Sequence, residues 1–248
     1  MKNRYPTLYK HVVARFTPGK EFGLHLTVGV ALMFACAWVF GAIASEVLAQ
    51  SEVTVLDAWL ANWFHQHKDG PWTGFMLVIT HWHRPAGVLL MAVVFGAWLY
   101  RRGAHYWLAT LVLAVPGGML LNILLKYAFQ RARPSFTEPL VTLTTYSFPS
   151  GHASGATFFY GLLAAYILCT TTSWHIRVWA VVAAVVMVAL VAFSRVYLGA
   201  HYLTDVIAAV VEGVAWLTIC VTAMSTLRRR HTARRNGAPD CNPTGRRA

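Results

Sequence analysis

Residues 147–169 read SFPSGHASGATFFYGLLAAYILC, and they decide how the rest of the chain is read. From Ala153 onward the stretch is an apolar run long enough to cross a bilayer as one helix, about 20 residues for ~30 Å of hydrocarbon. At its mouth stand Ser150, Gly151 and His152. An apolar helix has no packing need for that polar trio. Free backbone N–H groups and the positive dipole end at a helix start favour an anion, and glycine lets backbone and ligand approach closely.

The whole chain shares the apolar bias of this segment. Of 248 residues, 57% are hydrophobic and 12% charged, with mean hydropathy +0.50. A soluble domain would carry about a quarter of its residues as charges, so the expectation is an all-α, polytopic membrane protein. Apolar runs at about 24–45, 85–100, 106–125, 153–172, 178–194 and 203–224 predict a bundle of six transmembrane helices. Between the first two spans, LDAWLANWFHQH (56–67) places Leu56, Trp59, Leu60, Trp63 and Phe64 on one helical face, as an interfacial helix does. PWTGFMLVITHW (71–82) is too short to span alone; it either lies at the interface or extends the second span. The expected organisation is a basic cytoplasmic segment (1–23), a membrane domain (24–226) and a basic, disordered cytoplasmic tail (227–248). Ala42-Ile43-Ala44 imitates a signal cleavage site, but the long apolar run before it favours a retained anchor. The four cysteines show no paired spacing, and three lie in apolar runs, where they act as small packers.

A net charge of +12 could suggest nucleic-acid binding, but its distribution argues against it. With the N-terminus inside, 15 of the 21 Lys and Arg residues fall in the termini or in the 101–102 and 177 loops. That is the positive-inside pattern, with both termini cytoplasmic. Lys68, Arg84, Lys126, Arg131, Arg133 and Arg195 remain on the outer side.

Apolar runs and loop charge alone thus bring three segments to one outer face. They are KYAFQRARP (126–134), PSGH (149–152) and SRVYLGAHYLTD (194–205). Lys126, Arg133 and Arg195 are cations suited to phosphate, the guanidinium forks gripping two oxygens each. His201 and Asp205 are four apart, on one helical face if the sixth span starts near Gly199. A carboxylate so placed holds an imidazole in one tautomer and leaves the other nitrogen free to attack. His152 can protonate a departing oxygen. Singly these residues have ordinary explanations: a snorkelling lysine, arginines touching headgroups, a serine helix cap, an interfacial histidine. Those explanations leave the joint spacing unexplained.

KxxxxxxRP, PSGH and SRxxxxxHxxxD in this order resemble the type 2 phosphatidic acid phosphatase superfamily, with no departure at the named positions. The resemblance implies His201 as nucleophile forming a phosphohistidine, Asp205 orienting it, and His152 as general acid. It implies Lys126, Arg133, Ser150, Gly151 and Arg195 as the phosphate-binding set, without a metal ion or other cofactor. It also implies a membrane lipid phosphate or diphosphate as substrate, met at the extracytoplasmic face of a bacterial-type inner membrane. Undecaprenyl diphosphate, phosphatidate and phosphatidylglycerophosphate all stay open, with loop 46–84 left to read the headgroup. A transferase passing phosphate to a second lipid would use the same residues. A non-catalytic lipid-phosphate binder would need no His-Asp pair. No obligate protein partner is inferred.

Glu212 lies two turns below Asp205 on the same helix face, and an intramembrane carboxylate faces protein or water. It is expected to support the site from behind, paired with Asn122 of the third span, or else to be a protonated packing residue. HQH (His65, His67) and HWH (His81, His83) lack a carboxylate or cysteine at ligand spacing, so no metal site is expected.

Overall fold

The computed structural model describes residues 24–237 apart from 69, 71 and 142. The described chain is helical throughout its regular parts: α1 (Leu24–Leu48), α2 (Glu52–Gln66), α3 (Trp72–Trp82), α4 (Pro85–Arg101), α5 (His105–Phe129), α6 (Gly151–Thr170), α7 (Trp174–Tyr197) and α8 (Leu203–Gly237). Five of these, α1, α5, α6, α7 and α8, are long and apolar enough to cross a bilayer. The candidate for a sixth crossing is a broken pair. α3 and α4 pass the same test only together, and they bend by 58° at the break. Pro85 at the first position of α4 explains the break, since proline ends the preceding helix and suits the opening of the next. Within the expected segment 71–82, α3 (Trp72–Trp82) therefore continues into α4 as one part of a bent apolar pair.

α6 is the central helix. It packs against α4, α5, α7 and α8. The run Ala153-Ser154-Gly155-Ala156-Thr157 is buried without interruption, and small residues let neighbouring helices close in on it. Phe158 and Leu162 then fill the core together with Leu99, Leu111, Val115 and Val88. The outside is apolar as well: Phe34, Trp38, Val93, Leu124, Trp179 and Val185 are all exposed. In water that surface would be a fault; in hydrocarbon it is the solvated face.

α1 packs along α8. α2 shows the interfacial pattern only in part. Leu56, Trp59 and Trp63 are exposed, while its opposite face buries Asp57 and Ala61. α8 continues as helix through 227–237, the first part of the segment expected as a tail. Its basic residues favour that continuation, since cations at a helix C-terminus complement the dipole. The segment 1–23 and residues 238–248, Cys241 included, lie outside the described residues. Cys36, Cys169 and Cys220 are free thiols; Cys220 packs in the core, but Cys169 is exposed at the end of α6, not buried as an apolar packer.

Candidate active site

Lys126 occupies the last turn of α5, where Gln130 in a left-handed conformation closes the helix. Its Nζ donates to the carbonyls of Tyr146 (2.8 Å) and Ser147 (3.4 Å), so the loop leaving α5 is folded back over the helix end. Arg133, from the same loop, donates to the carbonyls of Thr145 (2.6 Å), Ala200 (2.7 Å) and Tyr146 (3.1 Å) and to the Thr145 hydroxyl. With so many partners its plane is fixed before any ligand arrives. One of its nitrogens stands 3.1 Å from His201 Nε2.

That contact fixes the histidine tautomer. A guanidinium has donors and no lone pair, so Nε2 accepts and the ring proton sits on Nδ1. Nδ1 lies 3.4 Å from Asp205 Oδ2 and 3.3 Å from Ser147 Oγ. The Ser147 hydroxyl in turn donates to Asp205 Oδ2 at 2.5 Å. The lone pair of His201 therefore points at Arg133, which has to release it before Nε2 can attack a phosphorus. The route to this arrangement differs from the expected one. α8 begins at Leu203, so His201 and Asp205 do not share a helical face. Instead Gly199, at φ +65°, turns the chain sharply after α7, and the N–H groups of Ala200 and His201 both donate to the Arg195 carbonyl. A side chain at Gly199 would be strained by that φ and would strike Phe136. Asp205 then reaches back from the first turn of α8 to accept the Tyr202 N–H at 2.9 Å, as in a capping box.

The third part is the start of α6. Ser150 is its N-cap, yet its side chain caps nothing, and its buried Oγ has no partner. The Ser154 N–H is the first to bond back, to the Ser150 carbonyl, which leaves the N–H groups of 151–153 ahead of the helical ladder. Arg195, 2% exposed, spends one nitrogen on the Thr80 hydroxyl, while Nε and the other terminal nitrogen are buried without partners. Buried donors are nearly always satisfied. A guanidinium and a hydroxyl left open together point to an anion as the missing acceptor.

A cavity of about 580 Å³ opens at this end of the bundle. Lys126, Arg133, Gly151, His152 and His201 line its polar end, and Pro85, Leu89, Pro116, Leu120 and Ile123 line the rest. His152 thus shares this cavity with His201. Gly151 matters for closeness, since a Cβ there would lie 3.2 Å from Asn122 Oδ1 and 3.7 Å from Lys126 Cε. Behind it, Asn122 donates to Ser154 Oγ and Glu212 Oε2, both at 3.0 Å, and the Ser154 hydroxyl donates to Glu212 at 2.8 Å. The expected Asn122–Glu212 pairing is present, with Ser154 as an unforeseen third member.

Burial, followed by the charges of Arg133, Arg195 and Lys126, holds the His201 imidazole well below its ordinary pKa of 6.5. It is a neutral base inside a cationic pocket. Arg131 shows the reverse. Burial works against its charge, but Asp205 and Asp57 outweigh that and raise its pKa.

Sequence reasoning passed over Asp57, Thr80, Arg131 and Ser147. From sequence Arg131 reads only as an outer charge; its place inside KxxxxxxRP is the available signal. Nothing in the sequence marks Asp57 beyond a carboxylate set among the apolar positions of α2. The paired histidines take other partners. His65 stacks on Phe136, His67 bonds the Trp63 carbonyl, and His83 bridges the Ile79 carbonyl and the Tyr160 hydroxyl. Among the described residues no three His, Cys, Asp or Glu side chains group as metal ligands.

Four likenesses bear on this geometry. A sequence model of the PAP2 superfamily matches residues 105–229. Phosphatidylglycerophosphatase B of Bacillus subtilis (strain 168) is 34% identical over 169 residues, which span 66% of this chain and 75% of that protein. Undecaprenyl-diphosphatase of Sulfolobus acidocaldarius is 30% identical over 127 residues, 48% of this chain and 57% of that protein. The crystal structure of the transmembrane PAP2-type phosphatidylglycerolphosphate phosphatase from Bacillus subtilis superposes with a TM-score of 0.69 at 28% identity. That match covers 76% of this chain and 94% of the other.

Proposed function

This chain belongs to the PAP2 superfamily, as a multi-pass membrane member of its lipid phosphatases, and from that premise we propose a metal-independent hydrolase working through a phosphohistidine on His201. The observation that carries the reading is the set of buried, unanswered donors on Arg195 and Ser150, close to a histidine whose unprotonated Nε2 points at Arg133. In the first step His201 Nε2 attacks phosphorus. The bond from phosphorus to the leaving oxygen breaks, its electron pair goes to that oxygen, and His152 supplies the proton. Arg133, Arg195, Lys126, Ser150 and the α6 N–H groups hold the non-bridging oxygens as charge builds on them. Asp205 and Ser147 stabilise the ring, which becomes cationic as its nitrogen is phosphorylated. In the second step water attacks phosphorus, His152 takes its proton, and the P–N bond breaks to return neutral His201 and inorganic phosphate.

The substrate class follows from the rest of the cavity. Pro85, Leu89, Pro116, Leu120 and Ile123 offer an apolar bed for a lipid chain next to the phosphate end. Phosphatidylglycerophosphate is the first candidate, because the more extensively matched relatives bear that name; a lipid diphosphate is the second, from the undecaprenyl-diphosphatase likeness. The site would face the extracytoplasmic side with both termini in the cytosol, supported by the crossing count and the basic inner loops.

Purified protein supplied with one lipid phosphate at a time tests the reading. Free phosphate should appear without an acceptor lipid, persist in EDTA and vanish in His201→Ala, and acid-labile phosphoenzyme should accumulate on rapid quenching of the parent. Consumption of the lipid phosphate only when a second lipid is present, with that lipid phosphorylated and no free phosphate released, would mean a transferase, and turnover by His201→Ala would overturn the mechanism.

A further inference from the structure

Asp205 does not answer to His201 alone. Arg131 donates to its Oδ1 at 2.6 Å and, through the other terminal nitrogen, to Asp57 Oδ2 at 2.8 Å. Asp57 comes from α2, a different helix, and is only 2% exposed. Its Oδ1 accepts the Thr204 N–H at 3.1 Å, and its Oδ2 also accepts the Thr204 hydroxyl. The same hydroxyl accepts from Arg131 at 2.7 Å. One carboxylate on α2 therefore caps the first turn of α8 from outside and holds the guanidinium that holds Asp205. The Tyr202 ring covers that guanidinium at 4.3 Å.

The charge count gives this arrangement a purpose. Two buried carboxylates share one guanidinium, so the group retains one negative charge beside His201. With Arg131 paired to Asp205 alone, the orienting carboxylate would be neutralised when the imidazole must become cationic. We propose that Asp57 is a positioning residue for the reaction: through Arg131 and Thr204 it fixes Asp205 and leaves that carboxylate's charge available to His201. The groups facing Asp205 are Arg131 and Ser147 from the loop after α5, His201 and Tyr202 from the turn before α8, and, at longer range, Arg133 and Lys126.

The inference rests on His201 being the nucleophile, and the test separates the two. Asp57→Asn removes charge but little volume. Its kcat on a short-chain lipid phosphate should fall about tenfold or more, ~1.4 kcal/mol of transition-state stabilisation, with KM nearly unchanged because the phosphate clamp is untouched. The acid limb of kcat/KM should move to lower pH in Asp57→Asn, which strips negative charge from around His201, and to higher pH in Arg131→Gln, which strips positive charge. A mere packing defect moves neither limb. Asp57→Glu should recover most of kcat. If Asp57→Asn does not fold to a monodisperse protein in detergent, Arg131→Lys replaces it: a single ammonium cannot fork between both carboxylates, so kcat should still fall. Parent-like kcat in whichever of these two folds, or no opposite shift of the two limbs, overturns the proposal. Parent-like turnover by His201→Ala instead overturns the mechanism it rests on.

Discussion

Replacing Arg195 by methionine should damage catalysis and spare the fold. The side chain is almost wholly buried, bonded through one nitrogen to Thr80, with its remaining guanidinium donors unanswered. If two of those donors meet phosphate in the transition state, each at about 1.5–3 kcal/mol for a bond to a charged group, the loss is ~3–6 kcal/mol. That corresponds to a fall in kcat/KM of roughly 10²- to 10⁴-fold. In the empty enzyme the balance reverses. A buried charge lacking partners is costly, and exchanging it for an apolar side chain of similar length is often neutral or stabilising by about 1–4 kcal/mol. Thr80 loses a donor, but a helical threonine can turn its hydroxyl to its own preceding carbonyl. Thermal unfolding in detergent, with and without orthovanadate, reads both effects. Vanadate resembles the trigonal transition state, and saturation at 100 times Kd stabilises a native protein by about 2.7 kcal/mol. The parent should melt higher with vanadate. Arg195→Met should melt no lower than the empty parent and gain nothing from vanadate. A variant that unfolds early yet keeps its vanadate response would show Arg195 to be structural and refute the reasoning.

Two further outcomes follow from the same geometry. Gly151→Ala places a Cβ 3.2 Å from Asn122 Oδ1 and should push the start of α6 a few tenths of an ångström off α5. Since about 1 Å of misplacement can cost 10²-fold, kcat/KM should fall several-fold, whereas stability should change little because alanine also restricts the unfolded chain. The second concerns pH. His201 sits well below its ordinary 6.5, so nitrogen NMR of labelled histidine should find its ring neutral when the pH drops through 6.5, and Arg133→Gln should raise its pKa. The sign for stability is that of a depressed base. The unfolded chain takes the proton first, so folding weakens as pH falls below 6.5 and is unaffected above it. A His201 titration at 6.5 in the folded protein would contradict the buried, cation-ringed site.

The site was legible where chemistry is written into spacing. KxxxxxxRP, PSGH and SRxxxxxHxxxD named Lys126, Arg133, Ser150, Gly151, His152, Arg195, His201 and Asp205, and the structure gathers those segments at one end of the bundle. What escaped depended on how chain ends turn. His201 and Asp205 meet through a left-handed glycine and a helix cap, which a four-residue spacing cannot distinguish from a shared helix face. Asp57 and Arg131 are 74 residues apart and meet only because α2 lies across the start of α8. A pairing that distant has no periodicity to betray it. The bend between α3 and α4 was hidden for the opposite reason: two short apolar runs flanking His83-Arg84-Pro85 read equally well as a surface helix plus a short span.

The cavity's apolar wall carries a kinetic consequence. Leu89, Leu120 and Ile123 line it and are also exposed on the flank of the bundle, so a tethered headgroup can dock while its tail remains dissolved among its neighbours. For such a catalyst the meaningful abundance of reactant is its crowding within the sheet of lipid, not its amount per volume of buffer. Diluting an active bilayer with inert lipid should slow turnover; adding water should not.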